Sequence, residues 1–136
     1  MSVCDDIGKY LRDDFCQELK IEKFYIISKN LSSWNTLTKD TENFKDCHQP
    51  GVYIYIDTKR NRVIKVGRHL ADSLMRALQH IKDDTGKIMG NLDPETTVIT
   101  LINVRNKDAD LHWVAALEVF LEMHFRKKNI LDIPSR

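Results

Sequence analysis

Two runs of β-branched and aromatic residues, VYIYI (52–56) and RVIKVG (62–67), stand on either side of the polar segment DTKRN. Runs of this kind around a turn with Asp and Asn at its ends read as a β-hairpin. A two-stranded hairpin is too small to be stable alone, so the chain has to cover it with further elements. TTVITLINV (96–104) is the third convincing strand. By strict alternation Val52, Ile54 and Ile56 share one face of the hairpin, and Tyr53 and Tyr55 share the other. The same rule sends Val63 and Lys65 one way and Ile64 and Val66 the other, and the expected pairing brings Tyr53 and Lys65 together.

Helical spacing accounts for most of the remainder. Val3, Ile7, Tyr10, Leu11, Phe15 and Leu19 recur at three- and four-residue steps, which predicts an amphipathic helix over residues 3–20. IEKFYIIS (21–28) reads as a short strand or a buried connector. Residues 28–50 read as an irregular segment with one helical turn, pinned to the core by Trp34 and Phe44. Leu70, Leu74, Ala77, Leu78 and Ile81 predict a helix over 70–82, with Asp72 near its start, where a carboxylate suits the helix dipole. The turn-rich link DDTGKIMGNLDP leads to the third strand. A last helix over 110–128 carries Trp113, Leu117, Phe120, Leu121 and His124 as its inner stripe, with Glu118 on the margin and Glu122 further out. The expected fold is α+β: a small, mainly antiparallel three-stranded sheet flanked by helices over residues 49–136, with residues 1–48 as an N-terminal helical and strand extension packed on that core.

A chain of 136 residues can bury one core without disulfide staples. Its 21 basic and 20 acidic side chains argue against binding nucleic acid or a membrane by bulk charge. The distribution is uneven, however: residues 51–82 hold seven basic side chains against two acidic ones, Asp57 and Asp72. That excess is either a solvated hairpin and helix face or an anion site. Cys4, Cys16 and Cys47 contain no C-x-x-C pair and fit a reducing compartment. Cys47-His48 has no second pair at zinc-ligand spacing. No apolar run approaches membrane-span length and no signal-peptide pattern opens the chain, so a cytoplasmic protein is expected.

Tyr53, Lys65, Arg68, Arg76, His80 and Glu118 gather at the edges of these elements. Such an ensemble suits phosphodiester hydrolysis, which needs a base for water, a cation beside the pentacovalent phosphate and help for the leaving oxygen. Gly51-Val52-Tyr53, eleven residues, then Lys65-Val66-Gly67 resembles the paired signature of the GIY-YIG nuclease superfamily. The preceding Pro50 matches the usual form in the incision subunit of bacterial nucleotide excision repair. Arg76 and His80, four apart, are similar to the family's R-x-x-x-H. ALEVFLEMHFRKKNIL resembles its closing helix, a Glu in an apolar setting followed about a dozen residues later by Asn. The likeness covers residues 49–131.

The resemblance implies a Mg²⁺-dependent (or Mn²⁺-dependent) endonuclease acting on DNA. Tyr53 would activate or orient the attacking water, and Arg76 would hold the scissile phosphate with its planar fork of donors. Glu118 would be the sole protein ligand of one Mg²⁺. His80 would assist proton transfer or contact phosphate. Asn129 would support the metal side, and Gly51 and Gly67 are the motif glycines. Lys59, Arg60, Arg62 and Arg68 would contact phosphates. Lys65 stands where the second signature tyrosine would, as in some restriction enzymes of the superfamily, and a lysine beside Tyr53 would favour its phenolate. Arg76 follows Gly67 by nine residues, one more than in familiar members, which an insertion in the loop absorbs. Without an appended DNA-binding domain the chain would bind weakly, recruit a specificity-providing protein partner, or act as a homodimer.

Taken singly, Tyr53 and Tyr55 read as ordinary strand tyrosines, Arg76 as a partner of Asp72, and His80 as a surface residue. Glu118 is different, because the margin of an apolar face is a costly place for an unpaired carboxylate. His124 reads as a satisfied core histidine. The rival readings are a catalytically inactive module that keeps the fold and the basic face, and a structural adaptor acting through residues 1–48.

Overall fold

The computed structural model describes residues 2–15, 23–37, 44–84 and 86–134. Four antiparallel strands, β1 (Phe24–Asn30), β2 (Gly51–Asp57), β3 (Arg62–His69) and β4 (Thr97–Val104), form one sheet in the order β1-β4-β2-β3. The fold is α+β, as expected, but with a fourth strand. β1 pairs along its whole length with β4, from Phe24 opposite Val104 to Asn30 opposite Val98. Residues 16–22, including Cys16, Leu19 and the expected end of the first helix, lie outside the described residues. No helix among the described residues is long and apolar enough to cross a membrane.

Helices cover both faces of the sheet. One face carries α1 (Val3–Tyr10), which continues as a π-helical turn through Leu11–Phe15, and α6 (His112–Lys127). Val3, Ile7, Leu11, Val52, Ile54, Ile56, Val63, Val66, Leu117 and Phe125 form the core there. The other face carries α2 (Leu31–Asn35), α3 (Phe44–Cys47) and α4 (Ser73–Asp83), packed on Tyr53, Tyr55, Ile64, Ile99 and Leu101. A four-residue α5 (Lys107–Asp110) precedes α6. Trp34 is the anchor the sequence suggests: it is fully buried and its indole N–H donates to the Ile99 carbonyl at 2.9 Å. Phe44 is only half-buried, its ring 4.5 Å from that of His48.

Strict alternation fails in β3. Tyr55 faces Lys65 while Ile56 faces Val63, so Ile64 is an extra residue, a β-bulge. Val63 and Val66 therefore share the α6 face, whereas Ile64 and Lys65 turn toward the tyrosines. The edge of β3 is partly closed by the chain after α6. Val63 N–H donates to the Ile130 carbonyl, and the Asp132 and Ile133 amides donate to the Val63 and Ile64 carbonyls, each at 2.9 Å. This pairing stops at Ile64 and leaves the stretch from Lys65 onward uncovered by it, which is where the candidate site lies.

The helix boundaries follow from their caps. Asp72 accepts from the Met75 amide at 2.9 Å, so α4 starts at Ser73 and Leu70 falls in the preceding loop, half exposed. α6 ends in a Schellman turn: Asn129 has φ 55°, its amide donates to the Arg126 carbonyl, and Ile130 N–H donates to that of Phe125. Asn129 thus terminates a helix, and its own carbonyl accepts from Arg62 at 3.1 Å. The buried face of α6 is Val114, Leu117, Glu118, Leu121, Glu122 and Phe125, turned from the expected stripe. Phe120 is half exposed and lies 5.8 Å from the Phe15 ring. Glu122 is buried rather than outward, because Arg126 lies 3.3 Å away to pair with it.

An ion cluster ties α1 to the last turn of α6. The Asp6 carboxylate lies 2.8 Å from His124 Nε2 and 2.6 Å from Lys128 Nζ, and the Tyr10 ring stacks on that of His124 at 4.2 Å. Burial alone would push the Asp6 carboxyl up. Lys128 and His124 outweigh it and hold the pKa below the ordinary carboxylate value. A carboxylate depressed in the folded state contributes stability above its unfolded pKa, near ~3.9, and loses it as the pH falls through the folded value. Thermal melts below about pH 4 should therefore show a smaller acid-induced loss of stability in Asp6→Asn than in the native chain, alongside a lower stability of that variant at neutral pH.

Candidate functional site

β3 is the edge strand, and at Gly67 it has no side chain. Tyr53 pairs with Gly67, and its ring lies across the gap: a Cβ on Gly67 would sit 2.5 Å from the Tyr53 hydroxyl and closer still to the ring. The phenol of a central strand thereby reaches the sheet edge. Gly51 has a comparable reason to be glycine, since a Cβ there would meet the Asn103 side chain and lie 2.5 Å from the Ile102 carbonyl oxygen. Asn103 is fully buried, accepts from the Ser73 hydroxyl at 2.6 Å and donates to the Asp46 carbonyl at 2.9 Å. It locks α4 and α3 to the sheet beside Gly51.

Around Tyr53 the two faces of the sheet meet. From α4 comes Arg76, whose guanidinium interacts with the Tyr53 hydroxyl and lies 3.6 Å from Asp83, a partner seven residues on rather than the Asp72 that helical spacing suggests. From α6, on the opposite face, comes Glu118, 6% exposed and held by Arg68 at 3.1 Å. Burial pushes the Tyr53 hydroxyl above the ordinary tyrosine value. Arg76 works against that shift, and the nearby Glu118 carboxylate adds to it. Tyr53 is accordingly a neutral phenol at physiological pH, able to donate and accept but not a standing phenolate.

Lys65 departs from its expected position. It stands directly opposite Tyr55, not Tyr53, because of the bulge at Ile64, and its charge acts on His80. The expectation that Lys65 lowers the Tyr53 pKa is thereby corrected. The Tyr55 hydroxyl is committed to the Ala77 carbonyl at 2.6 Å, and the Tyr55 ring meets His80 edge-on at 6.4 Å. His80 is mostly buried rather than a surface residue. Its Nε2 lies 3.4 Å from Asp84, and its buried Nδ1 has no hydrogen-bond partner. Burial pushes its pKa below the ordinary histidine value, with Lys65 adding to the shift and Asp84 opposing it. The ring is neutral at physiological pH and keeps a lone pair.

The basic turn is already engaged. Arg60 binds Asp57 at 2.7 Å and also Asp132, and Arg62 binds Asp132 at 2.8 Å. These arginines staple the hairpin turn to the chain after α6, and Arg60 holds the Asp57 carboxyl below the ordinary carboxylate value. Lys59 is exposed on the turn. Of the residues read from the sequence, Tyr53 lies across Gly67 and beside Arg76, Glu118 meets Arg68 on the opposite face and acts on Tyr53 through its charge, and Lys65 acts on His80. Arg60, Arg62 and Asn129 belong to the staple and the helix end. Asp83 and Asp84 were missed, although their placement seven residues after Arg76 and four after His80 is a legible helical signal.

As to a metal, among the described residues no three His, Cys, Asp or Glu side chains cluster. Glu118, buried and paired with Arg68, is the carboxylate that the sequence offers for that role. A hard divalent cation that keeps several waters and takes phosphate oxygens can be bound by a single carboxylate, and the buried Glu118 is of that chemical kind. No protein-family model matches the chain, and no curated protein or solved structure matches it.

Proposed function

We propose that the chain is a Mg²⁺-dependent endonuclease of GIY-YIG type that hydrolyses phosphodiester bonds in DNA. The observation that carries this reading is Arg76 on the Tyr53 hydroxyl beside the glycine gap in the β3 edge, with the buried Glu118 carboxylate near enough for its charge to act on the same hydroxyl. Arg76 binds the scissile phosphate with a planar pair of donors and balances the charge that builds on its oxygens. Tyr53, kept neutral by burial, orients the attacking water by accepting and donating hydrogen bonds. His80, kept neutral by burial and Lys65, is the group able to take up a proton at physiological pH. Glu118 would hold the divalent cation, with Arg68 fixing its carboxylate; the cation would supply charge neutralisation at the leaving oxygen.

Incubation with supercoiled plasmid and Mg²⁺ should yield nicked and then linear DNA, and Tyr53→Phe should slow that reaction by roughly tenfold to a hundredfold. Absence of nicking on duplex, branched and RNA substrates alike would sink the reading. One observation favours the inactive nucleic-acid-binding module: Arg68 already neutralises Glu118. That reading predicts salt-sensitive binding without cleavage, and log-log plots of affinity against salt separate it from a structural adaptor that binds no nucleic acid.

A further inference from the structure

His69, the last residue of β3, is absent from the set of residues the motifs single out, yet its side chain is fixed by the loop that leads to α4. In the ladder it pairs with Gly51, two residues beyond Gly67, so it stands on the same face of β3 as Gly67 and Lys65 and borders the gap that Tyr53 fills. Its Nδ1 accepts two backbone hydrogen bonds, from Ala71 N–H at 3.2 Å and from Asp72 N–H at 3.0 Å. A ring nitrogen that faces two N–H donors must present its lone pair, so the ring's one proton is on Nε2. Among the described residues no hydrogen bond reaches that Nε2, and His69 is partly exposed.

The loop that holds this ring is itself fixed. Asp72 caps α4 through the Met75 amide and lies 2.7 Å from His48 Nδ1, and Ser73 N–H donates to the Gln49 carbonyl at 2.9 Å. The result is an N–H donor held by a fixed turn, two residues along β3 from the glycine that Tyr53 lies across. Two other arrangements are weaker. The cleft lined by Asp57, Arg60, Asp93 and Asp132 has Arg60, Asp57 and Asp132 engaged in the staple and Asp93 accepting from the Glu95 amide, and the exposed Phe120 and Met123 on α6 have nothing that indicates what covers them.

We propose that His69 is a further substrate-binding residue, donating from Nε2–H to a phosphate oxygen of the DNA strand beside the scissile group. The assignment rests on the nuclease reading for its substrate, but not for its tautomer. It complements Arg76: one contact is charged, the other neutral and rigid, so register along the strand is set by two donors of different kinds.

Two substitutions separate this role from a structural one. In His69→Asn the side-chain oxygen takes the place of Nδ1 and keeps the turn closed, while the outer donor is lost. In His69→Gln the amide nitrogen reaches the place of Nε2, but the turn loses its acceptor. His69→Asn should melt with the native chain yet bind a short DNA duplex, in fluorescence anisotropy, roughly tenfold to a hundredfold more weakly, as expected for one hydrogen bond to a charged oxygen. His69→Gln should melt earlier and bind more tightly than His69→Asn. Two-bond ¹⁵N–¹H spectra of the free native protein should show His69 protonated at Nε2 and bare at Nδ1. The opposite tautomer would overturn the proposal whatever the protein does to DNA, and so would unchanged duplex affinity in His69→Asn. A native chain that neither binds nor cuts the duplex would overturn the contact through failure of the nuclease reading, with the tautomer unaffected.

Discussion

Arg76→Ala is expected to lower kcat for plasmid cleavage by about a hundredfold to a thousandfold, the usual cost of removing one preorganised donor from a charge-developing transition state. The guanidinium sits beside the neutral Tyr53 hydroxyl and contacts Asp83 only at 3.6 Å, at the more exposed end of α4. Its fork is therefore available to the phosphate, and little folding energy depends on it. Arg76→Lys should recover only a small part of the rate, because an ammonium cannot present two parallel donors to one phosphate. Melting temperatures of both variants close to that of the native chain would tie the loss to chemistry. A kcat within a few fold of native in Arg76→Ala would remove this residue from the site.

Gly51→Ala should be the most destabilising of the conservative changes in the hairpin, costing about 3 kcal/mol or more. The added methyl would collide with the Ile102 carbonyl oxygen, with Asn103 Cα at 2.8 Å and with the Asn103 side chain, two of them parts of the central strand's backbone. Asn103 cannot retreat without giving up the Ser73 hydroxyl and the Asp46 carbonyl, and the fully buried Ser73 hydroxyl would then lose its acceptor. At Gly67 the collision is with a ring, which can swing. Gly67→Ala should thus cost less stability than Gly51→Ala but displace Tyr53 and impair cleavage. Urea titrations read the first effect, and comparable midpoints for the two variants would contradict this reading of the glycines.

The alternating runs of the hairpin and the third strand, and the helical spacing of α4 and α6, were legible because each follows a period that survives any tertiary setting. The glycines and Tyr53 were singled out by the resemblance to the paired signature, since taken singly Tyr53 reads as an ordinary strand tyrosine. What was hidden depended on partners far away in the chain. FYIISKN reads ambiguously because its polar residues suit the exposed edge of a sheet, and only β4 makes it a strand. The bulge at Ile64 is invisible to a rule of two, yet it decides that Lys65 faces Tyr55. Glu118 and Glu122 turn inward only because Arg68 and Arg126 meet them, which rotates α6 away from the stripe its apolar residues suggest. Similarly, the cations of the basic turn look like phosphate contacts until Asp132, some seventy residues on, is seen to hold two of them.

These placements change the part Lys65 plays. In the proposed site it stands opposite Tyr55 and adds to the burial that holds His80 below the ordinary histidine value, so the proton acceptor and the water-orienting phenol would be separate groups. Arg68 pairs with Glu118, so in the proposed site it would fix that carboxylate.

Single-turnover cleavage of plasmid DNA as a function of Mg²⁺ concentration, in the native chain and in Glu118→Ala, bears most directly on the claim that these side chains form one phosphodiester site. The account predicts saturable Mg²⁺-dependent cleavage by the native chain and its loss in a folded Glu118→Ala protein that still binds DNA. Cleavage by Glu118→Ala with an undiminished rate and an unchanged Mg²⁺ dependence would contradict it.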